Sequence, residues 1–168
     1  MPVRLARPED AEAIARVHVR TWQGAYRHVF GDALDQLSIE ERVRLARDVL
    51  AHDDSRTFVG EIEGEIVGFA SAGPCRDEDA DSGTGELYAI YVLPERWGEG
   101  LARALVAAAE ADLRRRGYSR ATLWVLEDNP RARRFYERSG WELLAGRKDF
   151  ERFDVVAPVV HYAKRLSG

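Results

Sequence analysis

The sequence of 168 residues contains one cysteine, four histidines and no long apolar segment. Because Cys75 is alone, the chain cannot form an internal disulfide or supply a cysteine-based metal cluster. The histidines lack the spacing that metal ligands usually show; they are His18, His28, His52 and His161. No window holds the roughly 18 apolar residues of a membrane span, and the N-terminus lacks the apolar core of a signal peptide. We therefore expect a cytoplasmic protein without a metal and without a membrane partner.

The charge balance lacks a basic excess, with 25 Lys and Arg against 29 Asp and Glu and a formal net charge of −4. A dedicated nucleic-acid-binding domain usually carries a basic excess, so we expect no nucleic-acid partner. The hydrophobic fraction of 45% and the charged fraction of 32% are typical of a globular protein. This length favours one domain over residues 1–168, large enough to bury a core without cross-links.

The spacing of apolar residues predicts strands and helices in the order β-α-α-β-β-β-α-β-α-β-β. Ser38-Ile39-Glu40-Glu41 has the form of a capping box, which predicts that a helix begins there. The nearly continuous apolar run in Glu86–Leu93 predicts a strand buried on both faces. An Ala-rich helix over Glu99–Arg116 follows, and Trp141–Gly146 and Val155–Leu166 supply the last strands. This order is typical of an α/β domain with a mixed sheet.

Two glycines, Gly98 and Gly100, connect that apolar strand to the Ala-rich helix. Glycine lets a ligand approach the backbone closely, and the first N–H groups of a helix have no partner inside it. With the helix dipole, these groups form an anion site. Arg103 stands where a dinucleotide-binding G-x-G-x-x-G has its third glycine, and the Gly-Lys-Ser/Thr of a P-loop is missing. We predict a phosphate site, although the glycines could also serve only to shape a tight turn.

This turn resembles the Q/R-x-x-G-x-G/A motif of the Gcn5-related N-acetyltransferases, the GNAT family. Gly100 and Ala102 occupy the last two motif positions, and Gly98 precedes them. Trp97 stands at the Gln/Arg position, with Arg96 one residue earlier. Because backbone amides do most of the binding in that family, the tryptophan departs from the pattern without breaking it. Arg96 could add a charge contact to a phosphate.

A second segment is similar to the family's other signature, N-x-x-A-x-x-F-Y-x-x-x-G-F. Asn129, Ala132, Phe135 and Tyr136 match it, and only the final Phe is replaced, by Trp141. The three middle residues lie three to four positions apart and share one helix face. The two motifs stand in the family's order, so the chain resembles GNAT enzymes over roughly residues 3–166.

The resemblance implies the GNAT fold. That fold is a single α/β domain with a mixed, mostly antiparallel sheet of six to seven strands and about four flanking helices. The fourth and fifth strands splay apart to admit the cofactor, usually with a bulge in the fourth. Strand parity alone places Glu86, Tyr88 and Ile90 on one face, and such a bulge would change that placement.

The resemblance also implies acetyl-CoA as co-substrate. Its diphosphate would lie on the turn, and Asn129 would hold its pantetheine arm. Backbone amides near Ile90, Tyr91 and Val92 would polarise the acetyl carbonyl. The expected cofactor-binding residues are Ile90, Tyr91, Val92, Arg96, Trp97, Gly98, Glu99, Gly100, Leu101, Ala102, Arg103, Asn129, Ala132 and Tyr136.

The implied chemistry is direct attack of a primary amine on the thioester, which requires the amine to lose a proton. Many family members use a Glu on the fourth strand as base, often through water, which makes Glu86 the candidate here. Tyr136 would give a proton to the departing thiolate. Both could instead be structural, Glu86 as a solvated edge residue and Tyr136 as core. The expected acceptor-binding residues are Trp22, Tyr26, Glu86, Tyr88 and His161.

The acceptor itself stays open between a small-molecule amine and a peptide. A longer acyl-CoA as donor, or a catalytically silent acyl-CoA-binding module, are alternatives with the same fold. The acidic loop with Asp77, Glu78, Asp79 and Asp81 could favour cationic amines, or it could simply be solvated. A homodimer, common in the family, is left open, and Cys75 has no expected catalytic role.

Overall fold

The computed structural model describes residues 2–166. Its strands are β1 (Val3–Leu5), β2 (Arg56–Ile62), β3 (Glu65–Pro74), β4 (Thr84–Val92), β5 (Arg120–Leu126), β6 (Glu142–Arg152) and β7 (Val155–Arg165). Its α-helices are α1 (Ala11–Ala25), α2 (Arg27–Phe30), α3 (Ile39–Ala51), α4 (Leu101–Arg115) and α5 (Pro130–Arg138). No helix within residues 2–166 is long and apolar enough to cross a membrane.

The seven strands form one sheet in the order β1-β2-β3-β4-β5-β7-β6. Its neighbouring strands run antiparallel except β4 and β5, which are parallel. The prediction of a mixed, mostly antiparallel α/β fold is therefore confirmed. The predicted order of elements holds as well, with the four-residue helix α2 as an addition.

Side-chain caps fix where two of the helices begin. The Ser38 hydroxyl accepts a hydrogen bond from the Glu41 N–H at 3.2 Å, as the capping box predicts. Asn129 caps α5 in the same way, since its Oδ1 accepts from the Ala132 N–H at 3.2 Å. Pro130 then takes the first helical position, where its missing N–H costs nothing.

Helix α4 begins two residues later than the sequence predicts. Gly98 and Gly100 have φ angles of 83° and 90°, in the left-handed region that excludes them from an α-helix. Leu101 is therefore the first helical residue, and its side chain is fully buried.

Helices cover both faces of the sheet. A Cβ built on Gly68 of β3 would meet Leu101 of α4, whereas the next residue, Phe69, contacts His18 of α1. Consecutive strand residues point to opposite faces, so α4 and α1 lie on opposite sides of the sheet. Lys164 of β7 binds Glu110 of α4 at 2.6 Å and the carbonyl of Ser139 after α5 at 2.8 Å, so α5 lies beside α4.

Strands β4 and β5 separate part-way along their length. Within residues 2–166 they pair over three positions, Thr84–Glu86 with Arg120–Thr122. From Leu87 to Val92, β4 keeps its pairing with β3, while its other edge has no strand partner there. This opening is the cleft that the family resemblance implies, and Tyr91 lines it between two apolar clusters.

A bulge in β4 changes which side chains share a face. Ala72 pairs with Leu87 and Ser71 with Ala89, so Tyr88 is an extra residue in the ladder. Glu86 pairs with Gly73 and Ile90 with Ala70. Their partners at positions 70 and 73 of β3 face opposite sides of the sheet, so Ile90 and Glu86 do as well. The prediction from regular strand alternation that Ile90 shares a face with Glu86 is therefore wrong. Counting along the same register, Tyr91 shares the face of Glu86.

Candidate active site

The turn before α4 presents a row of unused backbone donors. The first helical hydrogen bond of α4 runs from the Ala104 N–H to the Gly100 carbonyl, so the N–H groups of Leu101, Ala102 and Arg103 have no helical partner. Among the backbone hydrogen bonds of residues 2–166, none uses the N–H of residues 98–100. The site can therefore offer several parallel donors and a helix dipole to an anion.

Trp97 fixes this turn in place from both sides. Its Nε1 donates to the Val92 carbonyl at 2.8 Å, which ties the turn to the end of β4. Its ring receives the guanidinium of Arg131, with the guanidinium carbon 4.0 Å from the ring centre. The side chain of Arg96 lies 3.8 Å from the carboxylate of Glu99. At the Gln/Arg position of the motif, the tryptophan acts here as an anchor for the backbone.

Arg131 lies at the turn, and further basic side chains that the sequence did not predict follow it along α5. Arg131, Arg134 and Arg138 repeat at helical spacing along α5, and exposed Arg103 lies on α4. Burial first, and then repulsion from Arg134 and Arg138, lowers the pKa of Arg131 below its usual value. In the described part of the chain, these four residues form no ion pair with an acidic group.

Tyr136 lies buried near Tyr91, which lines the cleft. Its ring packs edge-on against Trp141, with centroids 6.1 Å apart. No side chain or backbone group within residues 2–166 hydrogen-bonds its hydroxyl. Burial, and then the neighbouring Tyr91, raises the pKa of Tyr136 well above its usual value. The phenol therefore keeps its proton at neutral pH, and its hydroxyl is available to another partner.

Tyr26 and Asn129 connect α1 to α5 at the same place. Asn129 Nδ2 donates to the Tyr26 hydroxyl at 3.4 Å, while its Oδ1 caps α5. Burial, followed by the effect of Tyr91 and Tyr136, raises the pKa of Tyr26. The three phenols of Tyr26, Tyr91 and Tyr136 thus lie close enough to influence one another.

Glu86 lies where the pairing of β4 with β5 ends. Its side chain is only 9% exposed, and its Oε1 accepts a hydrogen bond from the Arg76 N–H at 2.9 Å. Burial is the main cause that raises its pKa above the usual value, and the charge of Asp77 acts in the same direction. A buried carboxylate with a raised pKa is suited to accept a proton near neutral pH.

A polar network lies beside Glu86 on the same side of the sheet. Trp124 Nε1 donates to both oxygens of Asp77, at 3.1 and 3.2 Å. His161 stacks on Trp124 with centroids 4.0 Å apart, and its Nε2 lies 3.5 Å from Asp77. Burial lowers the pKa of His161. His161 is among the residues predicted from the sequence, whereas Trp124 is not. Strand alternation could have indicated Trp124, because it places this residue on the same face of β5 as Thr122 and Leu126.

The ligand atoms of Cys75, Asp77 and Glu86 lie within 4.8 Å of one another. Burial raises the pKa of the Cys75 thiol, as it does that of Glu86. Metal ligands bind in their deprotonated forms, so a metal here would have to displace protons that Cys75 and Glu86 hold more tightly than usual. The thiol instead lies 3.4 Å from the Thr122 hydroxyl, and Asp77 is held by Trp124.

Two of the predicted acceptor-binding residues are engaged in packing. Trp22 is buried, and its ring stacks on Phe30 with centroids 5.7 Å apart. Tyr88, the bulge residue, donates its hydroxyl hydrogen to the Pro74 carbonyl, and the guanidinium carbon of Arg76 lies 3.7 Å from its ring centre. The structure therefore brings Glu86 and His161 together around Asp77. Trp22 and Tyr26 instead pack with Phe30, in one of the two apolar clusters that flank Tyr91.

Comparison with known proteins shows the family to which this chain belongs. The sequence model of the acetyltransferase (GNAT) family matches residues 12–141, which include both motif segments. The chain belongs to the GNAT family. This GNAT chain is 38% identical to YuaI of Bacillus subtilis (strain 168), an uncharacterized N-acetyltransferase, over 134 residues that cover 76% of this chain and 73% of YuaI. The predicted resemblance and the prediction of an N-acetyltransferase enzyme are thereby confirmed.

Solved GNAT structures share the fold over nearly the whole chain. The ribosomal-protein-alanine N-acetyltransferase of Brucella melitensis superposes with a TM-score of 0.77 at 22% identity, covering 98% of this chain and 99% of the other. YncA of Salmonella typhimurium, solved with its cofactor acetyl-CoA, superposes with a TM-score of 0.74 at 22% identity, covering 100% and 95%. At these identities the likeness is one of fold.

Proposed function

We propose that this N-acetyltransferase moves an acetyl group from acetyl-CoA directly to a primary amine of a small molecule or a peptide. The observation that carries the proposal is the alignment of two features along one cleft. Unused N–H groups from Gly98 to Arg103 follow the end of β4, and Tyr136, protonated and without a hydrogen-bond partner among residues 2–166, lies near Tyr91 of the same strand.

The turn fits a diphosphate. Six consecutive backbone donors precede or begin a helix of fifteen residues, so donors and dipole act on the same anion. Gly98 and Gly100 leave open space where a Cβ would stand, so a ligand could approach the backbone there. YncA of Salmonella typhimurium, with the same fold, was solved with acetyl-CoA, which supports acetyl-CoA as the donor here.

Each proton of the transfer has a place to go. The acceptor amine forms a bond to the acetyl carbon while the carbon–sulfur bond breaks. Glu86 takes the proton that the amine loses, directly or through water, because its raised pKa suits it as a base. Tyr136 gives its proton to the departing thiolate. The unpaired edge of β4 from Leu87 to Val92 would direct backbone N–H groups at the carbonyl oxygen.

The proposal is tested by calorimetry with coenzyme A and acetyl-CoA, followed by a free-thiol assay over a panel of amines. We expect micromolar or tighter binding, and amine-dependent release of one thiol per acetyl group transferred. Absence of binding to either ligand would remove the proposed donor. If acetyl-CoA bound but released no thiol with any amine, including peptides, a catalytically silent module would be favoured. If only a longer acyl-CoA released its thiol, the donor would be that acyl-CoA and not acetyl-CoA.

A further inference from the structure

The side chain of Asn129 has more hydrogen-bond donors than partners. Its Oδ1 accepts from the Ala132 N–H at 3.2 Å and so caps α5. Its Nδ2 carries two hydrogens, and one of them goes to the Tyr26 hydroxyl at 3.4 Å. No other group within residues 2–166 accepts a hydrogen bond from this Nδ2. Because the cap and the bond to Tyr26 together fix the amide plane, they also fix the direction of the second hydrogen.

The Tyr26 hydroxyl has a free hydrogen as well. It accepts the hydrogen bond from Asn129, so its own hydrogen is left without an acceptor in the part of the chain that the structure describes. Burial raises the pKa of Tyr26, so the phenol stays protonated and able to donate at neutral pH. The two free hydrogens belong to atoms 3.4 Å apart, close enough to donate to one oxygen. An amide carbonyl, with its two lone pairs, suits such a pair of donors.

Contacts on two sides hold Tyr26 in place. Its ring packs edge-on against Trp22 and Phe30, with centroids 5.0 and 6.4 Å apart. Two residues further along the chain, His28 Nε2 lies 2.9 Å from the carbonyl oxygen of Asp128. The corner between α1 and α2 is therefore fixed to the loop before α5. Donors that are already in position bind a ligand without the cost of ordering them.

Tyr26 and Asn129 lie between the phosphate turn and the opening in the sheet. Arg131, two residues after Asn129, lies on the ring of Trp97 in the turn. On the other side, Tyr26 and Tyr91 pack against the same apolar cluster, and Tyr91 belongs to the part of β4 that has no pairing with β5. A ligand with its diphosphate on the turn and its thioester at this edge of β4 would pass both donors.

We propose that Tyr26 and Asn129 together bind one amide carbonyl of the pantetheine arm of acetyl-CoA, with Tyr26 also fixing the Asn129 amide for this contact. Tyr26 is then part of the donor site, whereas the sequence predicted that it binds the acceptor. Asn129 is a ligand-binding group that needs this tyrosine to be oriented. The inference rests on the proposed function, because it names residues that hold the same cofactor.

The test is calorimetry with acetyl-CoA and with adenosine 3′-phosphate 5′-diphosphate, a fragment that keeps the nucleotide and diphosphate but lacks the arm. Tyr26→Phe removes the hydroxyl and keeps the ring contacts. We expect the Kd for acetyl-CoA to rise about three- to tenfold and the Kd for the fragment to stay unchanged. Asn129→Ser should behave alike, because serine keeps the helix cap. Tyr118→Phe, beyond the far end of α4, is the control and should change neither Kd.

Kinetics and a double variant test the shared carbonyl. In Tyr26→Phe the KM for acetyl-CoA should rise with its Kd, whereas the KM for the amine should not. In the Asn129→Ser background, Tyr26→Phe should raise the Kd for acetyl-CoA by less than about twofold, because the two donors act on one oxygen.

Three results would overturn the inference. They are an unchanged Kd for acetyl-CoA in Tyr26→Phe, an equal loss of affinity for the fragment, and fully additive effects in the double variant. A rise in the KM for the amine alone would place Tyr26 at the acceptor and would overturn it too. Failure of the wild-type protein to bind acetyl-CoA or the fragment would instead overturn the proposed function.

Discussion

The guanidinium of Arg131 lies on the ring of Trp97, with its carbon 4.0 Å from the ring centre. One residue belongs to the turn before α4 and the other to the first turn of α5, so the contact bridges the two sides of the cleft. A cation–π contact contributes about 0.5–1 kcal/mol at an exposed site and more when desolvated. The bridge therefore holds the turn of residues 97–100 against α5 in the absence of ligand.

Replacing Trp97 should loosen the turn. Trp97→Ala removes both the hydrogen bond to the Val92 carbonyl and the contact with Arg131, so we expect the Kd for acetyl-CoA to rise about tenfold. A double-mutant cycle with Arg131→Gln, followed by calorimetry, should give a coupling free energy of about 0.5–1 kcal/mol. Additive effects would mean that the two side chains act independently on the cofactor.

The left-handed glycine before α4 offers a sharper test of the backbone donors. Gly100→Ala places a side chain at a φ of 90°, where the strain costs roughly 1 kcal/mol and the neighbouring N–H groups must turn. We expect the Kd for acetyl-CoA to rise at least tenfold. Gly117→Ala is the matched control, because Gly117 follows the same helix with a φ of 92° and open space around it. Equal losses of affinity in both variants would argue against a diphosphate on this turn.

Much of this fold could be predicted from the sequence because its signals are local. Ser38 and Asn129 are strong helix caps whatever surrounds them, and Gly98 and Gly100 indicate a tight turn between a strand and a helix. The end of β6 carries no such signal. Its side chains are mostly exposed and charged, so the apolar pattern stops near Gly146 and the strand was predicted to end six residues too early.

The surroundings of Tyr91 and His161 depend on contacts between residues far apart in sequence. His18 of α1 and Tyr91 of β4 are 73 positions apart (91 − 18), and nothing in either segment indicates that their rings stack with centroids 4.9 Å apart. The stacking of Trp124 on His161 likewise depends on the register of β5 with β7. The bulge at Tyr88 reverses the parity that a regular strand would give, and it follows from pairing with β3.

Tyr136→Phe should separate chemistry from binding. The hydroxyl has no partner among the described residues, so its loss should leave the free energy of unfolding nearly unchanged, whereas kcat should fall about 10²–10⁴-fold. Because the pKa of Tyr136 is raised, the wild-type enzyme should keep this donor protonated above pH 10. Tyr162→Phe is the control: its hydroxyl binds Arg133 and Glu137, so that change should cost roughly 1 kcal/mol of stability and little activity.

The raised pKa of Glu86 makes predictions for both activity and stability. In the wild type, kcat/KM should rise with pH at a midpoint above the usual range of a glutamate, and Glu86→Gln should remove that limb. A carboxyl whose pKa is raised by folding contributes stability below its unfolded pKa and loses it as pH rises through the folded pKa. Glu86→Gln should therefore be more stable than the wild type at pH 7, and this advantage should vanish below about pH 4. An unchanged pH–rate profile would exclude Glu86 as the base.

The pKa of His18 depends on the burial of its ring and on two nearby positive charges. Burial, followed by Arg42 and then Arg152, lowers the pKa of His18 to about 4, which a titration followed by NMR would measure. A histidine whose pKa falls on folding binds its proton more readily in the unfolded chain, so stability should decline as pH falls from about 6.5 toward 4. Arg42→Gln combined with Arg152→Gln should raise the pKa of His18 and reduce that decline, while burial keeps the pKa below its usual value. Arg44→Gln should change neither quantity. If the double variant left the pKa of His18 at its wild-type value, the charges of Arg42 and Arg152 would not act on this side chain in solution.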